Sequence, residues 1–398
     1  MSKIYPVIAL MLLASQTHAI ELIDDHLRLS GFGTFGVTQS DNPTPYYLNR
    51  NIVDETCYDC DTTLGLQLDA RFLGSFKASV QVVKRPEDSF SDPSFEWAYI
   101  GWEASDDLEL RAGRLRIPLQ LASDYYFVGQ SYPWLRLPSE VYNASAGVNY
   151  FEGVSAEYRF ELGELWTGTF IPFYGFEQTN DLDRLNEFWE IEIEYLRGFS
   201  VRIEDDSLTT QISYLDTKLT NNTTYTGGGL YELIQASGMP ATVSNDFEFQ
   251  LLNLGVIYTV GAWEIWSEWG ASRTKSAFGE GKGRVGYLGA GYHIGTWTPY
   301  ALFAKDYSEG AAASASTTAG LRWDVLSNVS VNLEYTYTKL DGEFNPTSPF
   351  APQPHGQFVY SPYDYTVGFN PISGPSFDWF TYGEDHANIF SLGVNFTF

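Results

Sequence analysis

Cations, cysteine, histidine and long apolar runs are all scarce in this sequence. The chain carries 23 Lys and Arg against 50 Asp and Glu, a formal net charge of −27. Such a charge repels the phosphate backbone and excludes nucleic acid as a partner; the surplus acid reads most simply as solvated loops. Two cysteines, Cys57 and Cys60, are too few for a domain built on disulfides. The longest apolar run, Ile4 to Ala14, is too short to cross a bilayer as a helix, which takes about 20 residues. A chain that crosses a membrane without such helices must do so as a closed barrel, because only a barrel then pairs every backbone group.

Lys3 precedes that apolar run, and Thr17-His18-Ala19 follows it as a small-residue cleavage site. This pattern predicts a secretory signal peptide over 1–19 and one mature domain over 20–398. In an exported chain the C-x-x-C pair reads as a local disulfide that stiffens a loop, since neither a βαβ context nor further metal ligands surround it. No cofactor is implied. Aromatics make up 16% of the chain, Gly numbers 36, and mean hydropathy is only −0.20. A barrel dilutes its apolar residues to every second position, so average hydropathy conceals it.

The last segment shows that dilution. Phe390, Leu392, Val394, Phe396 and Phe398 alternate with Ser391, Gly393, Asn395 and Thr397, giving one apolar and one small, polar face. Sixteen such strands are predicted, at 27–37, 62–72, 75–84, 94–103, 107–117, 147–160, 165–175, 194–204, 208–219, 245–259, 262–274, 284–294, 297–308, 314–324, 328–340 and 387–398. Seven tight turns, such as Leu73-Gly74 and Val260-Gly261, alternate with long segments at about 38–61, 85–93, 118–146, 176–193, 220–244, 275–283, 309–313 and 341–386. Within 176–204, Glu187 to Tyr195 fits either strand or loop. The fold class expected is all-β: a transmembrane antiparallel β-barrel of 16 strands, with short periplasmic turns and long extracellular loops.

A charge on the lipid face near the bilayer midplane costs about 2–4 kcal/mol. Arg28, Lys77, Arg202 and Arg322, each flanked by outward apolar neighbours, are therefore expected on the lumen wall. Trp102, Tyr158, Phe160, Trp166, Trp263 and Trp297 beside the turns suit an interfacial girdle.

The third long loop is approached through L-R-A-G-R-L-R-I-P-L, residues Leu110 to Leu119, where Arg111 has the opposite parity to Arg114 and Arg116. Either Gly113 sits at a bulge or the strand has left the lipid zone by that point. The loop continues through Ser123-Asp124-Tyr125-Tyr126, Tyr132-Pro133-Trp134 and Arg136 to Glu140-Val141-Tyr142. G-R-L-R-I-P leading into a long aromatic- and proline-rich third loop, together with the export signal, the strand layout and the terminal Phe, resembles the Gram-negative outer-membrane porins. The resemblance implies a loop (118–146) that folds into the lumen and narrows it. It also implies a passive channel for ions and small hydrophilic solutes, and a homotrimer in outer-membrane lipid. The loop carboxylates Asp124 and Glu140 would face Arg111, Arg114 or Arg116, with Arg136 nearby as part of the constriction. The acidic P-E-F-G-G segment common in that loop among porins is missing.

Acidic loops favour cations and an arginine cluster favours anions, so a substrate-selective channel for small anionic nutrients such as dicarboxylates is the alternative within transport. A third class, adhesion or surface binding, would use the aromatics of 341–386, such as Phe358-Val359-Tyr360 and Trp379-Phe380. Catalysis finds no support. His26, His293, His355 and His386 lie outside the H-x-S-N-G context of outer-membrane phospholipases, and no glycine-rich phosphate loop or metal-ligand cluster appears.

Overall fold

The computed structural model describes residues 19–23, 26–42, 50, 52–86, 93–142, 149–184, 187–226, 228–238, 240–277, 279–307, 313–341, 368–370, 374–376 and 386–398. The expected signal peptide through residue 18 lies outside them, as do His355, Phe358 to Tyr360, Trp379 and Phe380.

Sixteen antiparallel strands form the wall: β1 (Leu27–Ser40), β2 (Thr63–Phe72), β3 (Phe76–Lys84), β4 (Ser94–Glu103), β5 (Leu108–Arg116), β6 (Tyr150–Leu162), β7 (Trp166–Gly175), β8 (Glu187–Glu204), β9 (Leu208–Tyr225), β10 (Thr242–Val260), β11 (Trp263–Ser276), β12 (Gly279–Tyr292), β13 (Trp297–Asp306), β14 (Ala313–Leu326), β15 (Val329–Asp341) and β16 (His386–Thr397). Each pairs with its neighbours in sequence, and β16 pairs with β1 from Phe32↔Thr397 to Ser40↔Ile389, which closes the barrel. Closure leaves no exposed sheet edge. Backbone bonds from Gly31 N to Phe398 O (3.0 Å) and from Phe398 N to Gly31 O (2.9 Å) finish the seam. A short strand Ile20–Ile23 pairs with β1, and Gln178–Arg184 pairs with the far end of β8.

Alternation sets the two faces. On β16 the outward Phe390 and Leu392 are exposed, whereas the inward Ser391 and Asn395 are buried. Near the short turns the outer face carries paired rings, with Trp297 on Trp323 at 5.2 Å and Trp263 on Tyr292 at 4.8 Å. These are the amphipathic side chains that settle at a membrane–water boundary.

Toward the long-loop end the wall is taller than the sequence suggests. Residues 187–193 extend β8, 220–225 extend β9, and the expected loop at 275–283 is instead a hairpin joining β11 to β12. Cross-strand polar pairs build these extensions, including Arg273 with Glu280 and Thr224 with Thr242. In the extensions of β9, β11 and β12 a strand with both faces wet needs no apolar alternation, so its sequence carries no period-two signal. The β8 extension differs, because Ile191 and Ile193 are buried in an apolar cluster and alternate with Glu190 and Glu192.

Candidate channel constriction

The third loop leaves β5 at Ile117 and turns into the barrel, where Leu119, Leu121, Trp134, Leu135 and Val141 are nearly completely buried. Pro118, which cannot donate to the ladder, ends the strand. Hydrogen bonds then fasten the loop to a wide arc of the wall. Ser213 and Asn253, from β9 and β10, donate to Leu119 O at 2.5 and 3.2 Å. Arg202, from β8, donates to Leu121 O at 3.1 Å. Arg322, from β14, donates to Tyr132 O at 2.7 Å and Gln130 O at 3.1 Å. Asn332 of β15 holds Pro133 O at 2.8 Å.

Two wall carboxylates clamp the loop in parallel fashion. Glu268 of β11 accepts Leu121 N at 2.9 Å, Tyr142 OH at 2.5 Å and Tyr287 OH at 3.0 Å. Glu334 of β15 accepts Leu135 N at 2.9 Å, Tyr300 OH at 3.0 Å and Arg136 Nη1 at 3.3 Å. A buried carboxylate is tolerated only when its oxygens are filled in this way. Wall glycines make room for the loop: a Cβ on Gly289 would lie 2.7 Å from the Trp134 ring, and one on Gly393 would lie 2.2 Å from Leu135. Trp134 is ringed edge-on by Trp266, Tyr287 and Tyr300.

Arg136 ties the loop to the first loop and the seam. Its guanidinium reaches Asp61, Thr38 of β1, Ser391 of β16 and Glu334. Arg50 adds a second guanidinium 2.6 Å from Asp61. Burial alone would raise the Asp61 carboxyl, but Arg136 and Arg50 outweigh it and hold it well below the usual carboxylate range. Just ahead of Asp61, Cys57 and Cys60 are joined in a disulfide, which leaves no thiolate for a metal.

The other arc carries a charge ladder on its inner face, built from β3, β5 and β6. Lys77 meets Glu109 at 2.6 Å; Arg111 meets Glu109 at 2.7 Å and Glu157 at 2.5 Å; Arg159 meets Glu157 at 2.6 Å. Arg111 also lies over the Tyr99 ring. In each pair the cation is the more exposed partner: Lys77 is 23% and Arg111 22% exposed, against 7% for Glu109 and 11% for Glu157.

The residues singled out from sequence thus separate into groups. Arg111 and Lys77 sit together on the ladder, and Arg28 lies inward opposite Asp69. Arg202 and Arg322 do face inward, but they hold loop backbone rather than lining open lumen. No register shift occurs in β5, so alternation continues through Gly113 and turns Arg114 outward. There it pairs with Glu152 at 2.6 Å and stacks on Tyr150. Arg116 is bound to the buried Glu96 at 3.0 Å, beside Phe127. The expected facing of Asp124 and Glu140 against these arginines is not what the structure has: Asp124 is exposed, Glu140 is buried beside Ser139, and wall carboxylates take the arginines. A wall acid is held in place by the ladder, whereas a loop acid would have to be ordered to compete with it.

Sequence reasoning passed over Glu268, Asp61, Glu109 and Glu157. A lone acid on the inward parity of its strand, alternating with an outward aromatic as Glu268 does with Trp269, was the available signal for the first of these.

No family model matches the chain, and no curated protein matches it in sequence. Solved structures do match in shape. The anion-selective porin from Comamonas acidovorans superposes with a TM-score of 0.56 at 13% identity, covering 94% of this chain and 99% of that one. OmpF of Salmonella typhi, in complex with daunomycin, gives 0.57 at 11% identity over 96% of this chain and 100% of its own. The trimer form of OmpT, an outer membrane protein of Vibrio cholerae, gives 0.55 at 11% identity over 94% and 100%. With its closed sixteen-strand wall and an infolded third loop, the chain has an outer-membrane porin-type fold.

Proposed function

We propose that this barrel is an outer-membrane channel through which ions and small hydrophilic solutes pass passively, without cofactor or covalent chemistry. The observation that carries the reading is the division of the lumen wall. One arc is covered by the fastened third loop, while β3 to β6 present the ladder of Lys77, Glu109, Arg111 and Glu157. Water and hydrated solutes would pass between the two. The roles of Arg111 and Lys77 at the narrowest part, the 1–19 export signal and the homotrimer belong to this proposal; the trimeric form of the Vibrio protein supports the last. Long loops would face outward and tight turns the periplasm.

Exposure within the ladder favours the anion-preferring variant of this reading. Arg71 and Arg159 at the short-turn mouth are 69% and 56% exposed, so guanidinium groups front the carboxylates there as well. A lumen that shows cations and hides their partners enriches small anions such as carboxylates. Single-channel recording in a planar bilayer under a salt gradient tests both levels. Stepwise currents with an anion-directed reversal potential support the proposal. A folded but silent barrel overturns conduction, and a cation-directed potential overturns only the preference.

A further inference from the structure

In a chain with 23 cations and 50 acids, one outward patch reverses the balance. The outer face of β11 to β13, toward the long-loop end, carries Arg273, Lys275, Lys282, Arg284 and Lys305 against the single carboxylate Glu280. Arg273 is taken by Glu280 at 2.7 Å, and Lys275 by Glu248 of β10 at 3.5 Å. Lys282 and Arg284 are exposed and form no salt bridge among the described residues. Lys305 extends its ammonium over the Tyr307 ring, 5.2 Å from the centroid, and Tyr307 N bonds to Arg284 O, so the two basic side chains flank one point on adjacent strands.

Directly below lies an apolar hollow of about 460 Å³, lined by Ile212, Leu252, Leu254, Trp269 and Ala271 and capped by Arg284. Small residues border it: Ala271 is the register partner of Arg284, and Gly286, the next residue on the same face as Arg284, lets the Trp269 ring lie flat over it. Height fits a boundary role. From Tyr292 of the girdle up to Arg284, a strand rising about 3.3 Å per residue at a tilt of roughly 40° climbs about 20 Å. The apolar band of such barrels is about 25 Å tall. Cations at that level stand where acyl chains end and phosphorylated headgroups begin.

We propose that this face binds a phosphorylated lipid of the surrounding leaflet, with its phosphate held by Arg284 and Lys282 and an acyl chain in the hollow beside Trp269. Arginine suits the phosphate through its fork of donors. The proposal rests on the membrane placement given above but not on conduction, so a silent barrel would leave it standing.

Native mass spectrometry of the folded protein in detergent tests it, with phosphatidic acid compared against phosphatidylcholine of identical chains. Wild type is expected to retain the phosphate monoester lipid at least about fivefold better. The K282Q/R284Q double variant should bring the two lipids level, and A271W, which fills the hollow, should weaken both. Heat-modifiable mobility on gels verifies that each variant is folded. Equal retention by wild type, or a preference that survives in K282Q/R284Q, overturns the site. Displacement of the lipid by equimolar glycerol 3-phosphate would make it a free-phosphate site and also overturn the lipid reading. So would disulfide trapping of L252C between two copies, since a second protomer would then cover the face.

Discussion

Arg136 and Asp61 meet in a two-point contact, Nε to Oδ1 at 2.7 Å and Nη2 to Oδ2 at 2.5 Å, with both side chains almost completely buried. One belongs to the third loop and the other to the end of the first. Burial gives this pair its leverage, because a guanidinium removed here leaves Glu334 without its cation and Asp61 with Arg50 alone.

Arg136→Ala should therefore destabilise the barrel by about 3–5 kcal/mol, the cost of leaving a buried charge unpaired. Urea titration of protein folded into lipid vesicles, followed by tryptophan fluorescence, checks the size. A change below about 1 kcal/mol would mean that water reaches Asp61.

The same pair fixes a pH dependence. The Asp61 carboxyl is held below its ordinary value of 3.8, so its stabilisation is complete above that pH and is lost as pH falls further toward the depressed value. Wild type should lose stability between about pH 4 and pH 2, and Asp61→Asn should lose less over that interval while being weaker at neutral pH. Parallel slopes for the two proteins would remove Asp61 as the source.

Glu268→Ala should free Leu121 N and the Tyr142 and Tyr287 hydroxyls inside the barrel at a cost of about 1–3 kcal/mol for each group left unsatisfied. Loosening of the loop should appear as noisier single-channel current. An unaltered trace with unaltered stability would show that the other wall contacts hold the loop without Glu268.

Selectivity separates the arginines. Arg111→Ala should move the reversal potential toward cations, because Glu109 and Glu157 lose their shared partner. Arg114→Ala, whose side chain lies on the outer face with Glu152, should leave it unchanged. The reverse pattern would put Arg114, not Arg111, in the conducting path.

How far these features can be read from sequence depends on what each one requires. Strand number and closure were legible because lipid on one side and polar side chains on the other force alternation, as from Phe390 to Phe398. The upper reaches of β9 and β12 were not, because Thr220 to Thr224 and Gly279 to Arg284 stand where neither face must be apolar. Arg111 could be found from its own strand. Its partner Glu109 lies two residues back on the same face, but Glu157 could not be found, since it follows a whole loop later and only pairing of β5 with β6 brings it near. Arg114 and Arg116 were misled by proximity to the loop: residue spacing places them at its base, but strand parity and Glu96 decide where they point.

The contacts of Arg136 also set an order of events. Thr38, Asp61, Glu334 and Ser391 come from both ends of the chain and are brought together only when β16 has joined β1. The third loop is made early, as the chain emerges, yet its final partners arrive last. Until the seam shuts, the loop has no complete seat, and an unfinished cylinder would be wide at its waist. If the barrel conducts as proposed, narrowing by the loop would be coupled to completion of assembly, so that a barrel still inserting its last strands would leak more than the finished one.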